Sequence, residues 1–364
     1  MKARGLLVLL MAVCLSMLLT GCFKGEQSLK EIDPPKNAKA VDGAKDTKKT
    51  DKTSEEKNTK EGSGEAVKDT TARQLYLLDS NKMVVPQTLD LPVPDSGEVA
   101  KQALEYLVKG GPVTSILPNG FQAVLPEGTE ILGLKAEGDT MIVDVSKEFK
   151  DYEASDEVKI LEAMTNTLTQ FDKVKKVKLW INGYPQEKMP VNGTPIGNGY
   201  SAANGINLME TEAVDLMDSK AVTMYFPAEH NKTRYYVPVT SHIEVSEDDN
   251  IYQKVVNSLV KGPDYRTNAL QVFNTGTSLV DPPSLDDGVL SLTFNQKILE
   301  DKEKGVISDE VIETIVRTMA AQKGVKAVDL KVEKTDHLVN EQGEEYNEPV
   351  SLDKYTKSKK TVKR

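Results

Sequence analysis

Cysteine is nearly absent from this sequence, which has two cysteines in 364 residues. Cys14 lies inside an apolar run near the start that we expect to be removed, so the mature chain keeps Cys22 alone. A single cysteine can form neither an intramolecular disulfide nor a cysteine-rich metal site. The folded chain must therefore be stabilised by side-chain packing.

Histidine and aromatic residues are scarce as well, and the chain has no net positive charge. The three histidines, His230, His242 and His337, are too far apart in sequence to indicate a shared site. No HExxH, GxSxG, P-loop or EF-hand spacing occurs. Aromatic residues make up 5% of the chain and the net charge is -10. This charge argues against a general nucleic-acid binder, which needs a basic face to neutralise phosphates.

The chain begins with five residues that include two basic side chains, followed by an apolar run over residues 6–19. The run is short for a bilayer span and has the length of a signal-peptide core. It ends in Leu-Thr-Gly-Cys at positions 19–22, the pattern of bacterial lipoprotein signals. We predict that residues 1–21 are a signal peptide and that Cys22 is the lipid-attachment site, an N-palmitoyl, S-diacylglycerol cysteine. An ordinary secretory signal followed by chance by cysteine is the alternative.

Residues 22–72 have the composition of a tether. Positions 24–69 contain eleven lysines and eleven acidic residues, with few apolar side chains between them. Such a segment cannot bury enough surface to offset its ordering entropy, and we predict that it is disordered. Its r.m.s. reach of roughly 40 Å would hold the folded part away from the membrane. A charged binding segment is the alternative, but the balanced signs leave no patch to favour.

A short sequence pattern occurs twice in the chain, about 150 residues apart. Leu-Val-Lys-Gly-Gly-Pro at positions 107–112 returns as Leu-Val-Lys-Gly-Pro at 259–263, and Val-Asp-Val-Ser at 143–146 is matched by Leu-Thr-Phe-Asn at 292–295. Apolar spacing and turn residues recur, whereas clusters of His, Cys, Ser or paired carboxylates do not. The sequence therefore predicts two copies of one scaffold rather than a duplicated active site.

The first copy, residues 73–190, shows the order ββαββαβ. Its segments are strands over 74–78 and 83–89, a helix capped by Asp95 or Ser96 and ended at 110–112, a hairpin over 129–145, a helix opening at 155–157, and a strand over 177–181. The second copy, residues 220–338, repeats this order. We predict an α/β (α+β) fold with two tandem modules, each a small sheet with two helices on one side.

The remaining segments are predicted to lie outside the modules. Residues 191–219 are rich in glycine and proline, and we interpret them as an interdomain linker, because no strand and helix flank them as a phosphate-binding loop requires. Residues 339–364 form a polar, basic tail. The tail offers contact with anionic lipid or cell-wall polymer, or is simply solvated.

Two residues are candidates for a catalytic or ligand-binding role. Asp144 is the best candidate for a carboxylate-dependent enzyme, but its counterpart in the second copy is Thr293. Trp180 lies on the polar side of its strand, where packing against the linker is favoured over ligand stacking, and Lys331 replaces it. We therefore predict no catalytic residue, no cofactor and no metal site, and we expect that the protein is not an enzyme.

Together these features resemble the GerMN domain family. The resemblance rests on the Leu-Val-Lys-Gly-Gly-Pro segment, on Pro-Glu-Gly-Thr at 126–129 before a strand, and on Val-Asp-Val-Ser at 143–146. It covers roughly residues 73–190 and 220–338. The second copy departs from the pattern, since it lacks the proline before Gly276-Thr277 and has Thr293 in place of the aspartate. The resemblance implies a compact α/β module similar to the ring-building domains of membrane-spanning secretion complexes.

The layout of signal, tether and two modules resembles the sporulation and germination lipoproteins of that family. This resemblance implies a scaffold without enzymatic activity, anchored on the extracytoplasmic face of the cell membrane. In a sporulating cell it would lie between the mother cell and forespore membranes and bind protein partners of the channel complex that joins the two compartments. Two other hypotheses stay open: a binding module for a small ligand or peptidoglycan fragment, and an envelope enzyme.

Overall fold

The structure of the protein is a computed structural model that describes residues 69–209 and 219–356. The predicted signal peptide, Cys22 and the tether up to residue 68 lie outside the described residues, as do positions 210–218 and the last eight residues of the tail. Within the described ranges, no helix has both the length and the hydrophobicity needed to cross a membrane.

The elements of the first module follow the predicted order of strands and helices. They are β1 (Thr70–Leu78), β2 (Val84–Pro92), α1 (Val99–Glu105), β3 (Ile131–Glu137), β4 (Thr140–Val145), α2 (Glu157–Leu168), β5 (Lys176–Ile181), β6 (Tyr184–Pro185) and β7 (Tyr200–Ser201).

The second module repeats this series and confirms the tandem α/β fold. Its elements are β8 (Ser219–His230), β9 (Thr233–Glu244), α3 (Ile251–Lys261), β10 (Ser284–Asp286), β11 (Val289–Phe294), α4 (Asp309–Ala320), β12 (Ala327–Val332), β13 (Val350–Ser351) and α5 (Asp353–Thr356). β13 pairs with β12 as β7 pairs with β5, so Val350 and Ser351, which the sequence placed in the tail, complete the second sheet.

Each module contains two sheets, whereas the sequence predicted one. β1 and β2 form a separate antiparallel hairpin, and β3, β4, β5 and β6 form a mixed sheet with β7 beside β5. The second module divides in the same way, into β8–β9 and β10 to β13. The parallel pairs β4–β5 and β11–β12 are each connected through a helix, α2 or α4, as parallel strands require.

The helices bury the apolar faces that the sequence predicted. On and just after α2, Leu161, Met164, Leu168 and Phe171 are buried, as are Val311, Ile315 and Met319 on α4. The buried apolar side chains of both modules belong to one continuous core. At about 25 cal/mol per Å² of apolar surface removed from water, this core is the main source of stability.

Helix α1 is shorter than predicted. It ends at Glu105 rather than at the glycines, and its N-cap residue is Glu98, whose side chain makes no capping bond. The hydroxyl of Ser96 instead accepts a hydrogen bond from the Glu98 N–H, 3.2 Å away. After the helix the backbone pairs with Leu125, which accepts from the Lys109 N–H. The recurring Leu-Val-Lys-Gly segment is therefore a turn in the first module, whereas α3 continues to Lys261.

Side chains on and just after α2 occupy the free edge of β1. The Tyr76 N–H donates to Oγ1 of Thr167 at 3.1 Å, and Nε2 of Gln170 donates to the Gln74 carbonyl at 3.1 Å. An unpaired strand edge is an aggregation hazard, and these bonds close it. Pro86 lies opposite Tyr76, at a position where the absent proline N–H removes no hydrogen bond between the two strands.

The second module closes its own hairpin edge in the same way. The Tyr225 N–H donates to Oγ1 of Thr318 at 3.0 Å, and Nε2 of Gln322 donates to the Thr223 carbonyl at 3.2 Å. Pro238 stands opposite Tyr225, as Pro86 stands opposite Tyr76. Because the arrangement occurs in both copies, we infer that closing this edge is a property of the scaffold.

We predict that Thr167→Val destabilises the protein by about 1–3 kcal/mol, because a partly buried N–H loses its acceptor while the side-chain volume is kept. Chemical denaturation of the purified protein measures this loss. Thr165→Val is the matched control, because the Thr165 hydroxyl on the same helix is buried without a hydrogen-bond partner. The control should be neutral or stabilising, and equal losses for both variants would contradict the proposed role of Thr167.

Candidate functional site

The two modules meet through the ends of their hairpins, and the contacts are reciprocal. At the tip of the first hairpin, Asn81 accepts a 2.8 Å hydrogen bond from the Asn268 amide of the second module. At the tip of the second hairpin, the His230 ring lies on Gly120 of the first module, where an added Cβ would be 2.3 Å from the ring. Gly120 and Asn268 hold equivalent places, and both have positive φ.

A buried tyrosine strengthens this junction. The Tyr235 hydroxyl donates to Oδ2 of Asp79 across the modules at 2.9 Å, and the Tyr235 ring meets Phe121 edge-on with centroids 5.0 Å apart. The other oxygen of Asp79 accepts the N–H groups of Asn81 and Met83, so the same carboxylate shapes the hairpin turn. Burial and the charge of Asp79 raise the pKa of Tyr235, which keeps the hydroxyl protonated as a donor.

Asn207 joins the outer strands of the two hairpins. Its side-chain oxygen accepts from the Val84 N–H at 2.9 Å, and its amide nitrogen donates to the carbonyls of Val84 at 2.8 Å and Pro238 at 2.7 Å. Val84 belongs to β2 and Pro238 to β9, so one amide group bridges both modules. Asn207 has a φ of 48°, a left-handed conformation that asparagine tolerates better than most residues.

The residues around Asn207 are bonded along β9. The Ile206 N–H donates to the hydroxyl of Thr240, and the backbone of Thr240 exchanges hydrogen bonds with Ile206 and Met209, all at 2.9 Å. The last described part of the predicted linker, residues 206–209, is therefore built into the junction, whereas Tyr200 and Ser201 form β7 of the first mixed sheet. Residues 210–218 lie outside the described residues.

The buried carboxylate of Glu162 completes the junction. Glu162 on α2 is 2% exposed, and its Oε1 accepts the Asn207 N–H at 3.0 Å. Burial raises the pKa of Glu162 to about 7, although the Asn207 bond and the charge of Lys159 both oppose this shift. No cation lies within 4.0 Å of this carboxylate among the described side chains.

A second buried carboxylate binds the glycine-rich stretch after β6. Glu157, at the start of α2, accepts the N–H groups of Val191, Asn192 and Thr194, the Thr194 hydroxyl and the Tyr152 hydroxyl. Although burial alone raises the pKa of Glu157, these bonds hold it below its ordinary value. The backbone N–H groups of this glycine-rich stretch thus bind a carboxylate of the chain itself rather than a phosphate.

A half-open cavity of about 310 Å³ lies beside the junction. Its walls combine apolar side chains with groups of both charges from the two modules, including Met83, Val158, Leu208, Lys159, Glu162 and Asp264. No group of three or more His, Cys, Asp or Glu side chains suitable for a metal ion occurs in the part of the chain that the structure describes.

The structure places the residues considered from the sequence at separate positions. Oδ1 of Asp144 accepts the Gly183 N–H at 2.9 Å, a bond that fixes the turn after β5. His242 lies 3.3 Å from the Ser219 hydroxyl, and His337 faces Glu345 at 3.8 Å. Of the three histidines, only His230 belongs to the junction. Trp180 is partly exposed opposite Asp144, and Cys22 lies outside the described residues.

Sequence reasoning missed the junction residues Asn207, Glu162, Asp79 and Tyr235. One signal was available, since a glutamate recurs among the apolar residues of both second helices, as Glu162 and Glu313. Asn207 gave no comparable signal, because its partners lie on strands far away in sequence.

Comparison with known proteins gives consistent matches over both modules. A family model described as "Germane: Sporulation and spore germination" matches residues 74–187 and again residues 223–336. The spore germination protein GerM of Bacillus subtilis (strain 168) is 44% identical over 350 residues, which cover 93% of this chain and 94% of that protein. The solved structure of the tandem GerMN domains of sporulation protein GerM from Bacillus subtilis is similar, with a TM-score of 0.69 and 47% identity. That match covers 77% of this chain and 97% of the solved chain.

We predict that Asn207→Ala lowers the free energy of unfolding by roughly 2–4 kcal/mol, because it removes three bridging hydrogen bonds and strains a left-handed residue. Differential scanning calorimetry should also show the two modules unfolding in separate steps. Asn182→Ala is the control, since Asn182 has a φ of 49° at an exposed turn that is not part of the junction. A single cooperative transition in Asn207→Ala with unchanged stability would contradict the bridging role.

Proposed function

This chain belongs to the Germane family of sporulation and spore germination proteins, and we propose that it is a membrane-anchored, non-enzymatic scaffold of a sporulation complex. The observation that supports the proposal is the junction. There the two modules, whose hairpin edges are closed in the same way, pack against each other through buried hydrogen bonds. A pair of modules held in this way presents several surfaces in a constant arrangement, which is what an assembly factor requires. The channel complex between mother cell and forespore is the assembly we propose.

The anchor is proposed from the sequence. The Leu-Thr-Gly-Cys pattern and the apolar run before it are typical of a lipoprotein, with N-palmitoyl and S-diacylglycerol groups on Cys22. The diacylglycerol group supplies two acyl chains and the palmitoyl group a third, and two chains already give a stable membrane attachment where one chain gives a marginal one. The tether of residues 22–72 would then let the modules reach partners some distance from the membrane on the extracytoplasmic side.

The described surfaces favour partner contact through side chains rather than through added strands. The edges of β1 and β8 are closed by helix side chains, and β2 and β9 meet at Asn207. On the remaining edge of the first mixed sheet, β3 carries a bulge between Ile131 and Gly133 and a Lys135–Glu137 ion pair. Bulges and charges of this kind prevent strand addition. The exposed Tyr184, at the opposite side of that sheet, is a suitable contact residue.

A small-ligand binding function is the second candidate, and the cavity beside the junction is the observation that favours it. Thermal denaturation in the presence of peptidoglycan fragments distinguishes the two proposals. A saturable increase in melting temperature would favour ligand binding, and its absence together with co-purified membrane proteins would favour the scaffold.

We expect the mature protein to partition into the detergent phase of a Triton X-114 extraction and the cleaved form of Cys22→Ala to partition into the aqueous phase. The physical reason is the loss of the acyl chains, which contribute about 0.8 kcal/mol per buried methylene. Mass spectrometry of the N-terminus verifies cleavage and lipid attachment. A cleaved Cys22→Ala protein that stays in the detergent phase would refute lipid anchoring.

We expect Asp144→Asn to support spore formation at the wild-type level in a strain that has no other copy of the gene. The substitution keeps the oxygen that accepts the Gly183 N–H, so the turn is preserved, while any acid or base function is lost. Counts of heat-resistant spores measure the outcome. A defect of tenfold or more on a folded protein, on the order of what loss of a general acid or base costs, would instead favour the enzyme hypothesis.

A further inference from the structure

Glu162 is a nearly fully buried carboxyl group that contacts the end of the joining segment at the junction itself. Its Oε1 binds the Asn207 N–H, and the Asn207 side chain bridges β2 and β9. Hydrating this carboxyl group therefore requires the Asn207 segment to move away from α2. We propose that Glu162 makes the packing of the two modules depend on pH, so that the junction is closed most tightly when Glu162 carries a proton.

The groups around Glu162 do not neutralise it. On its own helix, Lys159 interacts with Asp156 at 3.6 Å, so its charge is shared between two carboxylates. On β7, Tyr200 is buried, and burial together with the charge of Glu162 raises the pKa of Tyr200. Across the cavity, Lys82 from the first hairpin and Asp264 from the second module present opposite charges. The cost of burying an ionised carboxylate is therefore left largely uncompensated.

The equivalent glutamate of the second module shows the contrasting arrangement. Glu313 on α4 is paired with Arg317, whose Nε and Nη2 both lie 2.7 Å from Oε1. The Arg317 guanidinium in turn lies 4.6 Å from the centre of the Tyr236 ring. Asn166 takes the place of this arginine in the first module and donates to the Glu162 carbonyl instead. Of these two equivalent glutamates, Glu162 alone has no cation within 4.0 Å among the described side chains.

The direction of the pH effect follows from burial. Burial raises the pKa of Glu162 to about 7 in the closed junction, from an ordinary value of 4.5. The closed state therefore binds more protons than an opened or unfolded state between these values, and its stability rises as pH falls through this window. The added stability is fully present below about pH 4.5 and is lost as pH rises through 7.

Hydrogen exchange of the full mature protein tests the proposal. After correction for the intrinsic rates, we expect the Asn207 and Thr240 amides to lose protection by roughly tenfold or more between pH 5 and pH 8. Amides beside the exposed β3–β4 turn, at residues 135–140, provide the internal reference, because their local opening leaves Glu162 buried. In Glu162→Gln the carboxyl group is replaced by a neutral amide, so protection at these junction positions should no longer change with pH.

Glu313→Gln is the matched control, and we expect it to lower stability at every pH without changing the pH dependence, because Arg317 loses its partner. The proposal would be overturned if the protection of the wild-type junction amides changed no more with pH than that of the β3–β4 turn. So would the same pH dependence in Glu162→Gln as in the wild type. The wild-type comparison decides the question even if Glu162→Gln does not fold.

Discussion

The hydrogen-bonding requirement of the hairpin edges governs the architecture of this protein. Each hairpin has two outer edges, and every N–H and C=O group there needs a partner if it is buried. On one edge the partners are a threonine on the long helix of the same module and a glutamine just after that helix. On the other edge they come from Asn207 and its neighbours. The first set of bonds fixes each helix against its hairpin, and the second fixes one module against the other.

The two copies have diverged where they meet. The tyrosine, proline, threonine and glutamine of the closed edge recur in both modules, because each hairpin has the same requirement. The glutamate of the long helix also recurs, but its partners differ, since Glu162 accepts from the segment between the modules and Glu313 is paired with Arg317. In the second module this glutamate is paired within its own helix, whereas in the first module it is part of the junction.

This organisation fits the scaffold role proposed above. The described residues include no group of three or more His, Cys, Asp or Glu side chains that could hold a metal ion. Two buried carboxylates instead bind other parts of the chain. Glu157 binds the loop of residues 191–194, and Asp79 binds its own hairpin turn and Tyr235 of the other module. Charged groups used in this way restrict the motion of loops and modules.

The order of elements, the helix faces and the repeat were determined by the sequence alone, because they depend on local spacing. Leu161, Met164 and Leu168 recur at helical intervals, and Asp287-Gly288 supplies the positive φ values of a two-residue hairpin turn. The division into two sheets, the early end of α1 and the junction were decided by tertiary structure. A hydrogen bond from Gln170 to Gln74, or from Asn207 to Val84, joins residues about 100 positions apart. No local pattern records such a partner, since the bond exists only after packing has brought the two segments together.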